Sequence, residues 1–121
     1  MKLNELKNKE VRHALAIGKH EDIVFDHIEY RTDNTGEITG IWVHIEKFRP
    51  LFLPFFEEDN FQLDLLLEQL GIDSYDPDDI NQAKGTVIIC HRYERVTDTD
   101  TFINVSFNPR YVPDEDRDTF A

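Results

Sequence analysis

The spacing of apolar residues changes from a helical to a strand-like period early in the chain. Apolar side chains recur at mostly helical spacing over residues 3–17, and Gly18 follows as a stop signal. The sequence therefore predicts a short amphipathic N-terminal helix within residues 1–19. Its apolar members are Leu3, Leu6, Val11, Ala14, Leu15 and Ile17.

Two segments rich in branched and aromatic residues follow and predict a β-hairpin. They cover residues 23–31 and 38–48, and the residues between them, 32–36, are turn formers that end in Gly36. In the second segment the branched residues at 41, 43 and 45 share one face, which places Trp42, His44 and Glu46 on the other. A third strand in residues 49–56 contains two prolines, so it is expected to be short, bulged or at a sheet edge.

The middle of the chain predicts two helices. Residues 61–70 are leucine-rich and precede Gly71, a typical C-terminal cap, while residues 58–60 offer an N-cap. Asp76 and Pro77 have the residue types of an N-cap and a first helical position, and they predict a short second helix that ends near Gly85.

Two further strands are predicted over residues 86–96 and 101–107, joined by a turn. In the second of them the residues at 103, 105 and 107 are expected to point inward, and those at 102, 104 and 106 outward. The chain becomes polar after Arg110, and we expect it to fray beyond Val112.

The element order favours a mostly β, α+β fold. Three strands, a helix and two strands is the order of the five-stranded OB barrel, in which the helix lies between strands 3 and 4. We therefore predict an OB-like domain over residues 20–112, with the N-terminal helix packed on or beside it and a flexible acidic tail over residues 113–121. An open α+β roll, with the same helix on one face of its sheet, has the same element order and remains the alternative.

Length and composition describe a single globular domain. The chain has 121 residues, of which 40% are hydrophobic and 31% charged, which excludes a disordered or low-complexity protein. Its one cysteine, Cys90, excludes an intramolecular disulfide and suits a reducing compartment. The longest apolar runs are too short to cross a bilayer and no signal-peptide core is present, so we expect a cytoplasmic protein without a membrane partner.

The chain is strongly acidic, and its charged residues are unevenly distributed along the sequence. Thirteen Lys and Arg against 25 Asp and Glu give a net charge of −12, which disfavours non-specific attraction to nucleic acid. Residues 57–80 contain nine acidic and no basic residues, whereas residues 1–19 contain five basic and two acidic ones. The other basic residues lie mostly on the predicted strands.

Residues 23–112 resemble the small single-stranded-DNA-binding OB proteins of phages and conjugative elements. The resemblance rests on the turn at 32–36, the helix at 61–71, the acidic link to Gly85 and the segments 86–93 and 102–109. It implies that bases stack on aromatic side chains of an open barrel face while basic residues follow the backbone. It also implies that an acidic tail recruits partners, here through Asp114, Glu115, Asp116 and Phe120.

A stacking surface requires outward aromatic rings on neighbouring strands, with cations nearby for phosphates. An alternative reading buries Trp42 as core at the other face of the sheet. The phase of the fourth strand also stays open because residues 87–90 are all apolar. The candidate nucleic-acid-binding residues are Trp42, His44, Arg92, Tyr93, Arg95 and Phe102.

No pattern in the sequence predicts catalysis, a cofactor or a metal. The five histidines lack HxH or HxxxH spacing, and the acidic residues at 73–79 do not match a calcium loop. Cys90 lies among strand-forming residues and is expected to be a buried small hydrophobe. No phosphate loop or nucleophile–base pair is found, so we do not expect an enzyme.

Two functions follow from these observations. The first is a single-stranded nucleic-acid-binding accessory protein of a phage or mobile element, with bases stacked on outward aromatics. The alternative is an acidic protein-interaction module or DNA mimic that docks on a basic partner through the carboxylates of residues 57–79 and 114–118. The N-terminal helix is compatible with packing on the barrel, homo-oligomerisation or phosphate contacts, and the sequence does not decide between them.

Overall fold

The computed structural model describes residues 12–111, which form one antiparallel sheet of five strands with two short helices. The α+β class expected from the sequence is confirmed. The elements are β1 (Gly18–Thr32), β2 (Ile38–Ile45), β3 (Leu51–Pro54), α1 (Phe61–Leu70), α2 (Pro77–Ile80), a 3-10 turn (Asn81–Ala83), β4 (Val87–Val96) and β5 (Thr101–Ser106).

The long strand β1 is the centre of the sheet, whose order is β3-β2-β1-β4-β5 with every pair antiparallel. Its residues from Phe25 onward pair with β2, and its residues from Gly18 to Val24 pair with β4. Register shifts occur between His20 and Ile23 and between Phe25 and His27. Such bulges increase strand bending, so β1 can pass from one half of the sheet to the other.

The two edge strands, β3 and β5, approach each other at the ends of the sheet. No hydrogen-bonded ladder joins them within residues 12–111, so the sheet is not closed there. β3 has four residues and pairs only with β2, which confirms the short edge strand predicted from its prolines.

The core lies between the inner face of the sheet and α1. Leu63, Leu66, Leu67 and Leu70 follow helical i, i+3, i+4, i+7 spacing and are all buried. Each fully buried side chain of this size contributes roughly 1.5–3 kcal/mol relative to exposure. The helix ends at Gly71 with φ 71°, the left-handed conformation predicted for its cap.

Two glutamines attach α1 to the backbone of β4 and to the residue that follows β5. Gln69 Nε2 donates to the carbonyls of Ile89 and Phe107, each at 2.8 Å, and its Oε1 accepts from the Ile89 amide at 2.7 Å. Gln62 Oε1 accepts from the Phe107 amide at 2.7 Å. Because β5 ends at Ser106, these side-chain amides supply the partners that another strand residue would have given.

The predicted hairpin turn and second helix start are both confirmed. Asp33 Oδ1 accepts from the Thr35 amide at 2.8 Å, and Gly36 has φ 86° in the turn between β1 and β2. Asp76 caps α2 by accepting from the Asp78 amide at 2.9 Å, with Pro77 as the first helical residue.

The predicted N-terminal helix is wrong over the part that the structure describes. Residues 12–17 are not helical, and Gly18 begins β1 instead of ending a helix. His13 forms a parallel bridge with Phe48, and its carbonyl accepts from the Arg49 amide at 3.0 Å. His13 thus has a hydrogen-bond partner on another segment of the chain, and Leu15 is buried although its segment is not helical. Residues 1–11 lie outside the described residues.

The inward and outward assignment of β5 is correct at one end and wrong at the other. Val105 and Phe107 are buried as expected, but Ile103 is 53% exposed and Ser106 is buried. The β4–β5 hairpin continues beyond Arg92, the last residue of β4 that pairs with β1, so Ile103 has no core beneath it. Ser106 pairs with the buried His91.

Candidate functional site

The outer face of the β1–β2–β3 half of the sheet carries a group of partly exposed rings. Because Ile41, Val43 and Ile45 are buried, Trp42 and His44 point to the opposite face, as the alternation of β2 predicts. Both are only partly buried, so the alternative placement of Trp42 in the core is wrong.

Cross-strand register completes this group with one residue from β1 and one from β3. Trp42 lies opposite Phe52, with ring centroids 4.9 Å apart and a 57° tilt. His44 lies opposite His27, and the two imidazoles stack with centroids 4.1 Å apart and planes inclined by 7°. We call these four side chains, His27, Trp42, His44 and Phe52, the ring platform.

Gly40 makes room for the platform's edge ring. A Cβ atom at this position would lie 2.4 Å from two carbon atoms of the Phe52 ring, closer than real Cβ contacts. Arg31 pairs with Gly40, and its Cζ lies 5.8 Å from the centroid of the same ring. This distance is within cation–π range, so a guanidinium stands at one end of the platform.

A hydrogen-bonded group of charges stands at the other end of the platform. His27 Nδ1 donates to Asp26 Oδ2 at 2.6 Å, and Lys84 Nζ lies 3.1 Å from Asp26 Oδ1. The hydrogen bond from His27 and then that from Lys84 lower the pKa of Asp26. Asp26 therefore remains an anion that orients His27 beside His44.

Burial holds His44 in its neutral form. Its Nε2 is buried with no hydrogen-bond partner among the described residues, and it lies 4.0 Å from Glu29 Oε1. Desolvation is the main cause that lowers the pKa of His44; His27 and Arg12 act in the same direction, while Glu29 opposes them. A neutral, flat imidazole extends the stacking surface without repelling its neighbour.

A second ring group lies on β4 and is more covered. Tyr111 packs against His91 with centroids 5.3 Å apart and stacks on Tyr93 at 5.0 Å. His91 is 6% exposed, and this burial is the main cause that lowers its pKa. Tyr93 is therefore stacked against Tyr111, and this second group includes a buried ring, that of His91.

The structure settles the phase of β4 that the sequence left open. Ile88 and Cys90 are buried, so Tyr93 and Arg95 lie on the outer face and Arg92 lies on the same face as Cys90. Cys90 is a buried small hydrophobe, as expected, and burial raises the pKa of its thiol to about 11. Arg92 Nε is buried with no hydrogen-bond partner within residues 12–111.

The six predicted candidates therefore fall into three places. Trp42 and His44 lie on the ring platform, and Arg92 faces away from the outer surface. Tyr93, Arg95 and Phe102 lie on the β4–β5 half, where Arg95 pairs directly with Phe102, which is 50% exposed. The tail candidates Asp114, Glu115, Asp116 and Phe120 lie outside the described residues.

Sequence reasoning missed Phe52, His27 and Arg31. A signal for Phe52 existed, because Leu51 and Leu53 are both buried and Phe52 alternates between them. The signal for His27 is hidden by the bulge that follows Phe25, which shifts the phase of β1.

Neither a metal centre nor a membrane span is found in the part of the chain that the structure describes. Among residues 12–111, no three His, Cys, Asp or Glu side chains are grouped so that they could hold a metal ion. No helix in the same range is long and apolar enough to cross a membrane.

No protein-family model matches this chain, and no curated protein matches it significantly.

Proposed function

We propose that this protein binds single-stranded nucleic acid and that bases stack on the ring platform. One observation carries the proposal: partly exposed rings from three adjacent strands lie on one outer face, with Arg31 at one end and Lys84 near the other. Single-strand binders combine such rings with cations that follow the backbone.

The strand topology supports the same proposal. We propose that the sheet is an OB-like, partly open barrel, because a helix stands between β3 and β4 and the edges β3 and β5 approach each other. OB domains bind oligonucleotides on the face of strands 2 and 3 and with the loop between strands 4 and 5. Trp42 and Phe52 lie on that face, and Arg95 and Phe102 flank that loop.

Stacking on the platform offsets part of the unfavourable net charge. Stacking contributes ~1–3 kcal/mol per base. At physiological ionic strength, charges more than about 8 Å away are largely screened. The charges beside the platform, the cations Arg31 and Lys84 and the carboxylates Asp26 and Glu29, therefore affect a bound strand more than the acidic residues farther away do.

The wider role that the family resemblance implies, an accessory protein of a phage or mobile element, belongs to this proposal. The protein would act there by holding a single strand and not by catalysis. Its acidic tail, including Asp114, Glu115, Asp116 and Phe120, would recruit a protein partner.

Trp42 is the only tryptophan in the chain, so its fluorescence reports directly on the platform. We expect a dT oligonucleotide of about 12 nucleotides to quench this emission at low salt, and we expect the affinity to fall as salt rises. Phe52→Leu keeps the reporter but removes one ring, and it should weaken binding about tenfold. Phe61→Leu removes another exposed phenyl ring outside the platform and is the matched control, with unchanged affinity.

Two results would contradict the proposal. One is the absence of quenching at low salt with protein that circular dichroism shows to be folded. The other is an equal loss of affinity in Phe52→Leu and Phe61→Leu, because stacking on the platform requires the two rings to differ.

A further inference from the structure

A cavity of about 600 Å³ opens at the side of the sheet opposite the ring platform. It lies between the end of the β1–β2 hairpin, the segment that leads into α1, α1 itself and the start of α2. Three aromatic side chains line it: Tyr30, Phe55 and Tyr75. We call this cavity the acidic cleft, because carboxylates line it.

Hydrogen bonds fix the aromatic wall of the cleft. The Tyr30 hydroxyl donates to the Tyr75 carbonyl at 2.6 Å, and the Tyr75 hydroxyl donates to Asp64 Oδ1 at 2.5 Å. These bonds connect β1, the segment before α2 and the helix α1. The wall is therefore preformed, which lowers the entropy that a ligand must remove on binding.

Hydrogen bonds also fix the loop between Phe56 and Asn60, which carries most of the carboxylates of the cleft. Asn60 Oδ1 accepts from the Phe56 amide at 3.0 Å, and Asn60 Nδ2 donates to the Phe56 carbonyl at 2.8 Å. Asn60 makes these bonds in place of a side-chain cap on α1. The acidic residues between Phe56 and Asn60 are thereby presented from a closed turn.

Five carboxylates surround the cleft, and no Lys or Arg is among the described residues that line it. A cation placed there would lie beside both aromatic rings and carboxylates, two kinds of group that attract ammonium and guanidinium ions. Phe56 and Phe61, which flank the lining residues 57–60 in sequence, are each 58% exposed. The carboxylates are those of Glu57, Glu58, Asp59, Asp64 and Asp76.

We propose that the acidic cleft binds a short basic segment of a partner protein, with a lysine or arginine side chain inserted between the rings and the carboxylates. A cavity of about 600 Å³ lies in the range of ligand sites and is larger than a single side chain requires. The apolar rings suit the aliphatic stems of Lys and Arg, whose charged ends reach the carboxylates. This site is separate from the ring platform, and its charge repels nucleic acid.

A peptide titration with charge-matched variants tests this proposal. The probe is a fluorescein-labelled peptide that alternates lysine or arginine with alanine, followed by anisotropy at low salt. Asp59→Asn with Asp64→Asn removes two carboxylates from the cleft, and it should weaken binding about tenfold. Asp98→Asn with Asp100→Asn makes the same change in net charge at the β4–β5 turn, and it should stay within about twofold of the wild type.

A second pair of variants tests the rings. Tyr75→Leu removes an aromatic wall of the cleft and should weaken peptide binding, whereas Phe102→Leu removes an exposed ring on β5 and should not. Amide chemical shifts in labelled protein should change at Ile38, Asn60 and Tyr75 on peptide addition. Far-UV circular dichroism confirms that each variant is folded before binding is measured.

Three outcomes would overturn the proposal. The first is an equal loss of affinity in both charge pairs, which would show a general attraction to an acidic surface. The second is peptide binding that Tyr75→Leu leaves unchanged. The third is complete displacement of the peptide by an equimolar concentration of spermine, which would assign the cleft to a free polyamine. None of these measurements involves dT binding. They therefore test the proposal for the acidic cleft independently of the proposal for the ring platform.

Discussion

The two ring-bearing surfaces lie on opposite faces of the same strand. Tyr30 faces inward and lines the acidic cleft, and the next residue, Arg31, stands outside over Phe52. Both surfaces display partly exposed aromatic rings. They differ in the charges beside those rings: the cations Arg31 and Lys84 stand beside the ring platform together with the carboxylates Asp26 and Glu29, whereas the described residues that line the cleft include carboxylates and no Lys or Arg.

The net charge of −12 is therefore a poor guide to any one surface of the molecule. Screening limits the influence of an exposed charge to about 8–10 Å, so each group of rings is governed by its own neighbours. The two functions that the sequence leaves as alternatives, binding a nucleic acid and binding a basic partner, then need not compete. We propose a separate surface for each: the ring platform for nucleic acid and the acidic cleft for a basic partner.

The largest effect is expected from Gln69, because it holds the helix that forms one wall of the cleft. Gln69→Leu removes three hydrogen bonds and leaves the Ile89 amide, the Ile89 carbonyl and the Phe107 carbonyl without these partners. The free energy of unfolding should fall by about 3 kcal/mol, measured by urea denaturation. Peptide binding in the cleft should suffer more than dT binding on the strands.

The matched control for this prediction is Gln82→Leu. Gln82 is exposed in the 3-10 turn, and the same substitution there should leave the urea midpoint nearly unchanged. Equal midpoints for Gln69→Leu and the wild type would show that α1 does not depend on this side chain.

A smaller and more selective effect is expected from Gly40. The new Cβ of Gly40→Ala would meet the Phe52 ring at 2.4 Å and force it away from its position beside Trp42. Phe52 is 37% exposed on an edge strand, so its ring can move and the cost in stability should be only about 1 kcal/mol. The affinity for dT should fall about fivefold, with peptide binding in the cleft unchanged.

A double-mutant cycle checks the cause. If Gly40→Ala acts by displacing the ring, it should have little further effect on dT affinity in a Phe52→Leu background. Additive losses would show that the two positions act independently and would contradict this account of Gly40.

The parts of the fold that were predictable are those fixed by neighbours in sequence. Gly71 ends α1 and Asp76 with Pro77 starts α2, and each signal acts within a few residues. The failure at residues 12–17 has a non-local cause. The apolar residues of this segment have helical spacing, but the segment forms no helix because His13 pairs with Phe48 and Leu15 is buried in the core.

Only the part of the candidate site that depends on the regular alternation of β2 could be predicted from the sequence. Trp42 follows from the regular pattern of β2, but His27 does not follow from that of β1. Phe25 is buried, so simple alternation would turn His27 inward, and the bulge between them buries Ile28 instead. Phe52 joins the platform through pairing between β2 and β3, which a single sequence does not specify.

The smallest effect, and the last contrast between the two surfaces, concerns pH. Burial lowers the pKa of His44 and His91, so the unfolded chain takes up these protons at a higher pH than the folded one does. The stability they confer is full above about pH 6.5, the ordinary value, and is lost as pH falls through the folded pKa values. The urea midpoint should therefore decrease as the pH falls from about 7.5 to about 5.5. The decrease should be less steep in His44→Gln than in His13→Gln, the exposed control. Parallel slopes in these two variants would contradict the role given to burial.

Protonation of His44 also adds positive charge to the platform, so dT binding should tighten as the pH falls over the same range. The cleft has no histidine among its described lining residues, so peptide binding there should not change in this way.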